Sequence, residues 1–600
     1  MKKRILCLLL CVVMLAACLA GCGKKTEEEA IDDVNKEASE SAMTLAMYLL
    51  CEEEMSEEQQ AKIEEAVNKI TKSKFKTRLD LRFYTADEYY TKLEEAFAAR
   101  AEAEAAGLIS QPVVNEDETT EEETVMNEYG FAEIAYPDIA NYQVDIFYLG
   151  GYEKFAEYME MNMLQNLNEE LSSASKKLNE YISAPYLTYM KSVNKGTYAI
   201  PTNKAIGEYT YLLINKEALA DQSYNTDAGI KDFTSMTDAD LAKFLGEISA
   251  YRADKYVPIY TNLSNIELAT AGTTLLTNDE GETIEYGVKY WGIGEDGQLT
   301  GDFSLIGSNY NVSGAYGKTA SYMESVGDLM KSTAFNTQFS AIMDYQKNGY
   351  FATDMTVDGK DAAVMCLKGG AELPAAYADK YEAVVIGKPT ITTEALYEDM
   401  FAVASYTTST SRSMEIITYL NTNEDFRNLL LYGIEGENYE LVDSDYEDKN
   451  GAAIKVVRRL NEDYMMDPEK LGNTLIGYVL EGENPLMKDF IMEQNTSAVV
   501  STIMGFRLDY NDLIVETEKL ETLRAISQTA KEKLNACTFE TYEDVMAEID
   551  AIYKENAEVI NALSSYAEPA DETTPTGIGY VYQQWAIANK LYTPPAEEEA

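Results

Sequence analysis

Gly196 to Leu219 reads GTYAIPTNKAIGEYTYLLINKEAL. Thr197 to Ile200 is a short run of β-favouring residues, and Pro201 closes it because its ring removes a backbone donor. A polar bend follows. Glu208 to Asn215 is then a second strand, rich in Tyr, Leu and Ile. Strand alternation puts Tyr209 and Tyr211 on one face, so both rings belong to a core or both line a site. The chain leaves one strand, turns, and starts another within a few residues. What lies on each side of that bend determines the fold.

Upstream, the order is regular. Thr44 to Leu50, TLAMYLL, has the length and polarity of a buried strand. Ser56-Glu57-Glu58-Gln59 reads as a capping box, followed by Ile63, Val67 and Ile70 at helical spacing. TRLDLRFY places Leu79, Leu81 and Phe83 on one strand face. Thr85-Ala86-Asp87-Glu88 reads as a second box before Tyr89, Leu93 and Phe97. VDIFYLGG, Val144 to Gly151, is a third strand, and YEKFAEYMEMNML a third helix. Strands alternating with helices imply a parallel sheet covered on both faces. The acidic, low-complexity run at 101–128 interrupts the pattern and reads as an inserted exposed loop.

At the start, Lys2, Lys3 and Arg4 precede the apolar stretch Ile5 to Ala20, and Leu19-Ala20-Gly21-Cys22 closes it. This has the form of a secretory leader, 1–21, and its end resembles a bacterial lipobox. The resemblance implies lipid attachment at Cys22 and a polar tether over 22–41. The chain would then be held at the extracellular face of the cytoplasmic membrane by the lipid alone.

The net charge is −54 over 600 residues. Such a chain repels nucleic acid and anionic lipid, so neither is expected as a partner. Histidine is absent, which excludes Ser-His-Asp and Cys-His nucleophilic sites and His-containing zinc sites. Cys51, Cys366 and Cys537 match no metal spacing and read as buried small hydrophobes. The best calcium-loop candidate, Asp354 to Gly359, has Met365 where a bidentate Glu belongs. No metal, cofactor or catalytic residue is expected.

Several stretches resemble extracellular solute-binding proteins (family 1, maltose-binding-protein-like) of ABC importers, of the larger Gram-positive lipoprotein type. They are the YAIP run above; DIFYLGGYEKF at 145–155; MFAVASYTTSTSRSMEIITYLNTNEDFRNLLLYGIEGENYEL at 400–441; LGN at 471–473; MGFRLD at 504–509; and YQQW at 582–585. The resemblance implies a two-lobe α/β fold of the type II periplasmic-binding-protein kind. Each lobe is expected to be a mainly parallel sheet flanked by helices, with a helical C-terminal region. Lobe 1 is expected over 42–202 plus 400–436, and lobe 2 over 203–399 plus 437–592. Crossings are expected at 200–207, at 402–408 and near 436–442.

In such a fold the ligand lies between the lobes, outside the carboxyl ends of the strands. That singles out Glu53 after the first strand, Tyr148 and Tyr152 around Gly150-Gly151, and Tyr209 past the first crossing. Trp291, where a strand breaks into glycines, is either an aromatic platform for a sugar face or a core ring. The family implies capture of a small solute, a carbohydrate or oligosaccharide, by a monomer that delivers it to a permease. The competing readings are a binding protein for a peptide or other non-sugar solute, and a surface glycosidase using two carboxylates. A surface adhesin would show repeats or a β-rich pattern, and neither is present.

Overall fold

The computed structural model describes residues 42–107, 136–182, 187, 190–191, 196–221, 238–277, 283–294, 297, 299–311, 327–501, 505–506, 508, 517–536, 541–570, 574 and 576–588. The leader with Cys22, the tether, Cys537 and positions 108–128 of the acidic run lie outside these residues. Among the described residues no helix is long and apolar enough to cross a membrane.

The strands that matter here are β1 (Met43–Cys51), β2 (Thr77–Thr85), β3 (Ile146–Gly150), β4 (Ala199–Pro201), β5 (Tyr209–Asn215), β6 (Tyr256–Thr261), β7 (Lys360–Gly369), β8 (Tyr381–Gly387) and β9 (Asp399–Val403). The helices are α1 (Glu57–Phe75), α2 (Ala86–Ala105), α3 (Tyr152–Glu160), α4 (Glu424–Tyr432), α5 (Met487–Ser497), α6 (Thr517–Ala536), α7 (Tyr542–Glu555), α8 (Ala557–Leu563) and α9 (Ile578–Ala588).

The first sheet has the order β2-β1-β3-β9-β4. β1 runs parallel to β2 and β3, while β9 runs antiparallel to β3 and β4. β1 is apolar throughout because both its faces are covered, whereas β2 alternates at the edge. Ser56 caps α1 by accepting from the Gln59 amide at 3.2 Å. The Gln59 side chain does not return to close the box; it donates to Asn438 Oδ1 at 3.1 Å. Thr85 makes no side-chain cap bond, since it is still the last rung of β2. Residues 101–105, expected in the acidic loop, continue α2. The Arg100–Glu104 pair, one helical turn apart, and the buried Ala103 extend it.

The second sheet is β6-β7-β5-β8, with the short strand Thr356–Val357 also paired antiparallel to β7. Only β6 and β7 are parallel; β5 is antiparallel to β7 and β8. The expectation of a mainly parallel sheet in each lobe therefore gives way to mixed sheets. A strand entering from the other lobe must run opposite to strands whose carboxyl ends face that lobe. One face of this sheet packs on Phe244, Leu245 and Ile248; the other carries Tyr209, Tyr211, Leu213 and Met365. Beyond it, an antiparallel sheet (Thr273–Thr277, Thr283–Tyr290, Ile306–Asn311, Gly327–Asp328) shares a further core with α6 to α9. Cys51 and Cys366 are buried, as their apolar surroundings require.

Two boundaries differ from expectation. Tyr439, Val457, Tyr464, Met466 and Leu471 belong to the first core, so 437–471 is not part of lobe 2. Ala402 to Thr408 is not a crossing. Ala402 is in β9, and Thr407 and Thr408 are fixed to buried Asp145, at 2.6 Å through the hydroxyl and 2.7 Å through the amide. The chain crosses instead at Gly207-Glu208 and at Lys388 to Thr390, and it leaves the first core for the last one after Ala498. Ile206, Ile391, Leu396 and Tyr397 already pack on the first core, and Phe506 packs on the last.

The second crossing and the segment after Ala498 run side by side. Thr390 and Ile391 pair in parallel with Val499 and Val500, and the Ser501 amide donates to Ile391 O at 2.9 Å. Gly207 has φ +52°, and a Cβ there would come within 3.2 Å of the Thr390 amide nitrogen. Both the left-handed φ and the close approach favour glycine there.

Candidate functional site

Strand direction locates the site. β4 ends where the chain crosses, and β9 begins there. Because β9 pairs antiparallel with β3, Asp399 lies opposite Gly150, and the carboxyl ends of β1, β2 and β3 share that edge. In the second sheet β5 starts at the crossing with Tyr209 opposite Gly369. The carboxyl ends of β7 and its parallel neighbour β6 therefore lie on the crossing side too. Both sheets present carboxyl ends to the edge where ligands bind in open α/β sheets.

On the first-lobe edge a charged network is built from distant segments. Lys204 Nζ contacts Asp399 Oδ2 at 2.7 Å, Glu398 Oε2 at 2.9 Å and Glu469 Oε2 at 3.4 Å. Tyr148 donates its hydroxyl to Asp399 Oδ1 at 2.6 Å. Burial alone would pull the Lys204 pKa down; Asp399 and Glu398 outweigh it and hold the ammonium above the ordinary lysine value. Burial pushes the Tyr148 phenol up, and the Asp399 charge adds to the shift, so it stays protonated and donates. Glu398 and Glu469 are more than half exposed, so each keeps free acceptor capacity.

Gly150 is glycine because a Cβ would come within 2.5 Å of the Tyr148 hydroxyl. Gly151, at φ +85°, turns into α3 while its amide donates to the carbonyls of Tyr397 and Glu398 at 2.9 and 3.0 Å. Tyr152 follows, half-buried, edge-on to Tyr397 with ring centroids 4.9 Å apart. Glu53 is exposed just beyond the end of β1. On the second-lobe edge stand Asn262, Lys368 and Glu208. The Lys368 amide donates to Asn262 Oδ1 at 3.4 Å, and its ammonium lies 3.7 Å from Glu208. The described groups at this edge are thus mostly acceptors, suited to ligand hydroxyl or ammonium donors.

The residues singled out from the sequence divide. Glu53 and Tyr152 stand at strand ends with accessible surface. Tyr148 is at the edge but buried, serving Asp399. Tyr209 is buried, its ring 5.2 Å from Tyr211 on the same face, and its hydroxyl pairs with Ser497 at the crossing. Trp291 is only 1 % exposed. It packs against Tyr582 and Phe506 at 4.9 and 5.6 Å and donates Nε1–H to Ser308 Oγ at 3.0 Å. With its faces covered and its one polar atom paired, it is a core ring and not a platform. Lys204, Glu398, Asp399 and Glu469 were not singled out. The lysine in the polar bend after YAIP was the one available signal; its partners are 195 and 265 residues away. Two cavities, of about 410 and 420 Å³, lie beside Arg524 and Lys488 and include none of these edge residues.

Two α/β lobes joined by adjoining crossings, with strand carboxyl ends facing them, define a two-lobe binding-protein fold. The chain is similar to extracellular solute-binding proteins. It shares 16% identity with the N-glycan transport solute-binding protein NgtS of Streptococcus pneumoniae, over 91% of this chain and 99% of that one (TM-score 0.46). An extracellular solute-binding protein of Bifidobacterium longum subsp. infantis shares 12% over 92% and 99% (TM-score 0.41). A family 1 member from Alicyclobacillus acidocaldarius shares 11% over 87% and 100% (TM-score 0.37). No protein-family model and no curated protein matches.

Proposed function

We propose that this chain is a lipid-anchored extracellular protein that captures a carbohydrate between its lobes and delivers it to an ABC importer, without chemical turnover. The observation that carries the reading is the shared edge: two sheets direct their carboxyl ends to adjoining, hinge-like crossings. Exposed carboxylates and a half-buried tyrosine there suit a ligand with many hydroxyls and apolar C–H faces.

A thermal-shift screen over neutral oligosaccharides tests it. A ligand at about 100 times its Kd should add roughly 2.7 kcal/mol of stability. Stabilisation by peptides and by no sugar would make it a non-sugar binder. Turnover of a chromogenic glycoside, abolished by one Asp or Glu substitution, would make it a hydrolase. The anchor has its own test. Cys22→Ala is expected to move the protein from membranes to the soluble fraction or to leave an uncut precursor. Detergent-dependent association of a correctly cleaved Cys22→Ala protein would show another anchor.

A further inference from the structure

α5 lies against the first crossing and carries three buried or half-buried polar side chains, Gln494, Asn495 and Ser497. Asn495 accepts from the Ile206 amide at 2.9 Å and donates to Lys204 O at 2.8 Å. Gln494 is fully engaged: its amide nitrogen donates to Ile206 O at 3.0 Å and Gly207 O at 2.6 Å, and its oxygen accepts from the Ala371 amide at 3.1 Å. Ser497 pairs with the Tyr209 hydroxyl. Lys204 and Ile206 belong to the first-lobe side of the crossing. Ala371 and Tyr209 belong to the second lobe, Ala371 lying just past the carboxyl end of β7 and Tyr209 at the start of β5.

We propose that α5 is an interlobe latch, in which Gln494 and Ser497 hold the second lobe at its present angle to the first. Two bonds reach the second lobe, Gln494 to Ala371 and Ser497 to Tyr209. The remaining bonds of Gln494 and Asn495 fix the helix to the crossing itself. Gly207 is the residue with backbone freedom between the two groups of bonds, and its carbonyl is one that Gln494 holds. A bistable hinge needs such a set of contacts, made in one arrangement and released in the other. Because Ala371 follows the β7 carboxyl end directly, a ligand that moves this loop acts on the latch.

The inference rests on the capture reading only in requiring that the lobes move, and its test needs no ligand. Spin labels at Lys69→Cys on α1 and Lys243→Cys on the 238–251 helix, both exposed, report the interlobe distance in the full chain, with the chain lacking these two cysteines as background. Gln494→Leu with Ser497→Ala is expected to displace and broaden the distance distribution of the ligand-free protein. A folded double variant with the parent's distribution overturns the proposal. If Gln494→Leu does not fold, Ser497→Ala with Tyr209→Phe removes the hydroxyl pair alone. A smaller shift in the same direction is then expected, and an unchanged distribution again overturns it. Failure of every sugar in the thermal screen would leave this result untouched.

Discussion

Trp291→Ala is expected to lower the free energy of unfolding by about 3–5 kcal/mol, the usual cost of removing a large core aromatic. The ring fills the junction between the antiparallel sheet and α9, meeting Tyr582 and Phe506, and Phe506 in turn meets Trp585 at 5.4 Å. Truncation opens a cavity among aromatics that cannot collapse far, and it strands the Ser308 hydroxyl that accepts from Nε1. Ligand affinity of the surviving folded protein should stay within about threefold of the parent, because the ring belongs to the last core and packs on Tyr582 and Phe506. Denaturant unfolding and ligand titration on the same variant check both halves. A variant with parental stability and lost affinity would return the ring to the cleft.

Arg427→Met should have an effect of similar size for a different reason. Arg427 lies on α4, is 1 % exposed, and donates to three main-chain carbonyls: Leu471 at 3.0 Å, Pro468 at 2.9 Å and Ile476 at 3.1 Å. Burial lowers its pKa to about 10, which still leaves it charged at neutral pH. Methionine fills much of the volume but leaves those carbonyls without a donor, at about 1–3 kcal/mol for each one that water cannot reach. We expect a loss of about 3–5 kcal/mol, with 468–477 gaining the fastest hydrogen exchange in the first lobe. Arg427→Lys should recover only part, since an ammonium cannot span three acceptors set in a fan. Parental exchange across 468–477 in Arg427→Met would show that the loop is held by other contacts.

Much of the first lobe is legible in the sequence because its signals are local. β1 is apolar on both faces, β2 alternates, and Ile63 and Val67 repeat at helical spacing, so burial decides each element from neighbours alone. The YAIP bend was legible for the same reason: proline ends β4, and Tyr209 and Tyr211 start β5. The site was much less so. Glu53 and Tyr152 follow strands and are found by position. Lys204, Asp399 and Glu469 become a group only when three remote segments meet, and no spacing records that. Trp291 stays open between platform and core in the sequence because a strand breaking into glycines looks the same in a core hairpin and at a cleft. The second sheet's mixed directions were hidden too, since hydrophobic pattern is blind to strand sense. Assigning 437–471 to the wrong lobe has the same origin: Tyr439 and Tyr464 mark burial but not against which core.

The first core is completed by the chain's own later part. Tyr148 and Asp399 are 251 residues apart, yet β9 supplies the strand that covers β3. Until β9 arrives, β3 is an unpaired hydrophobic edge, the kind that seeks another chain. Such late, non-local closure makes folding slow. During synthesis the β3 edge therefore stays open while the chain across that 251-residue separation is being made. A truncated first lobe, ending at the first crossing, is therefore a species prone to aggregate.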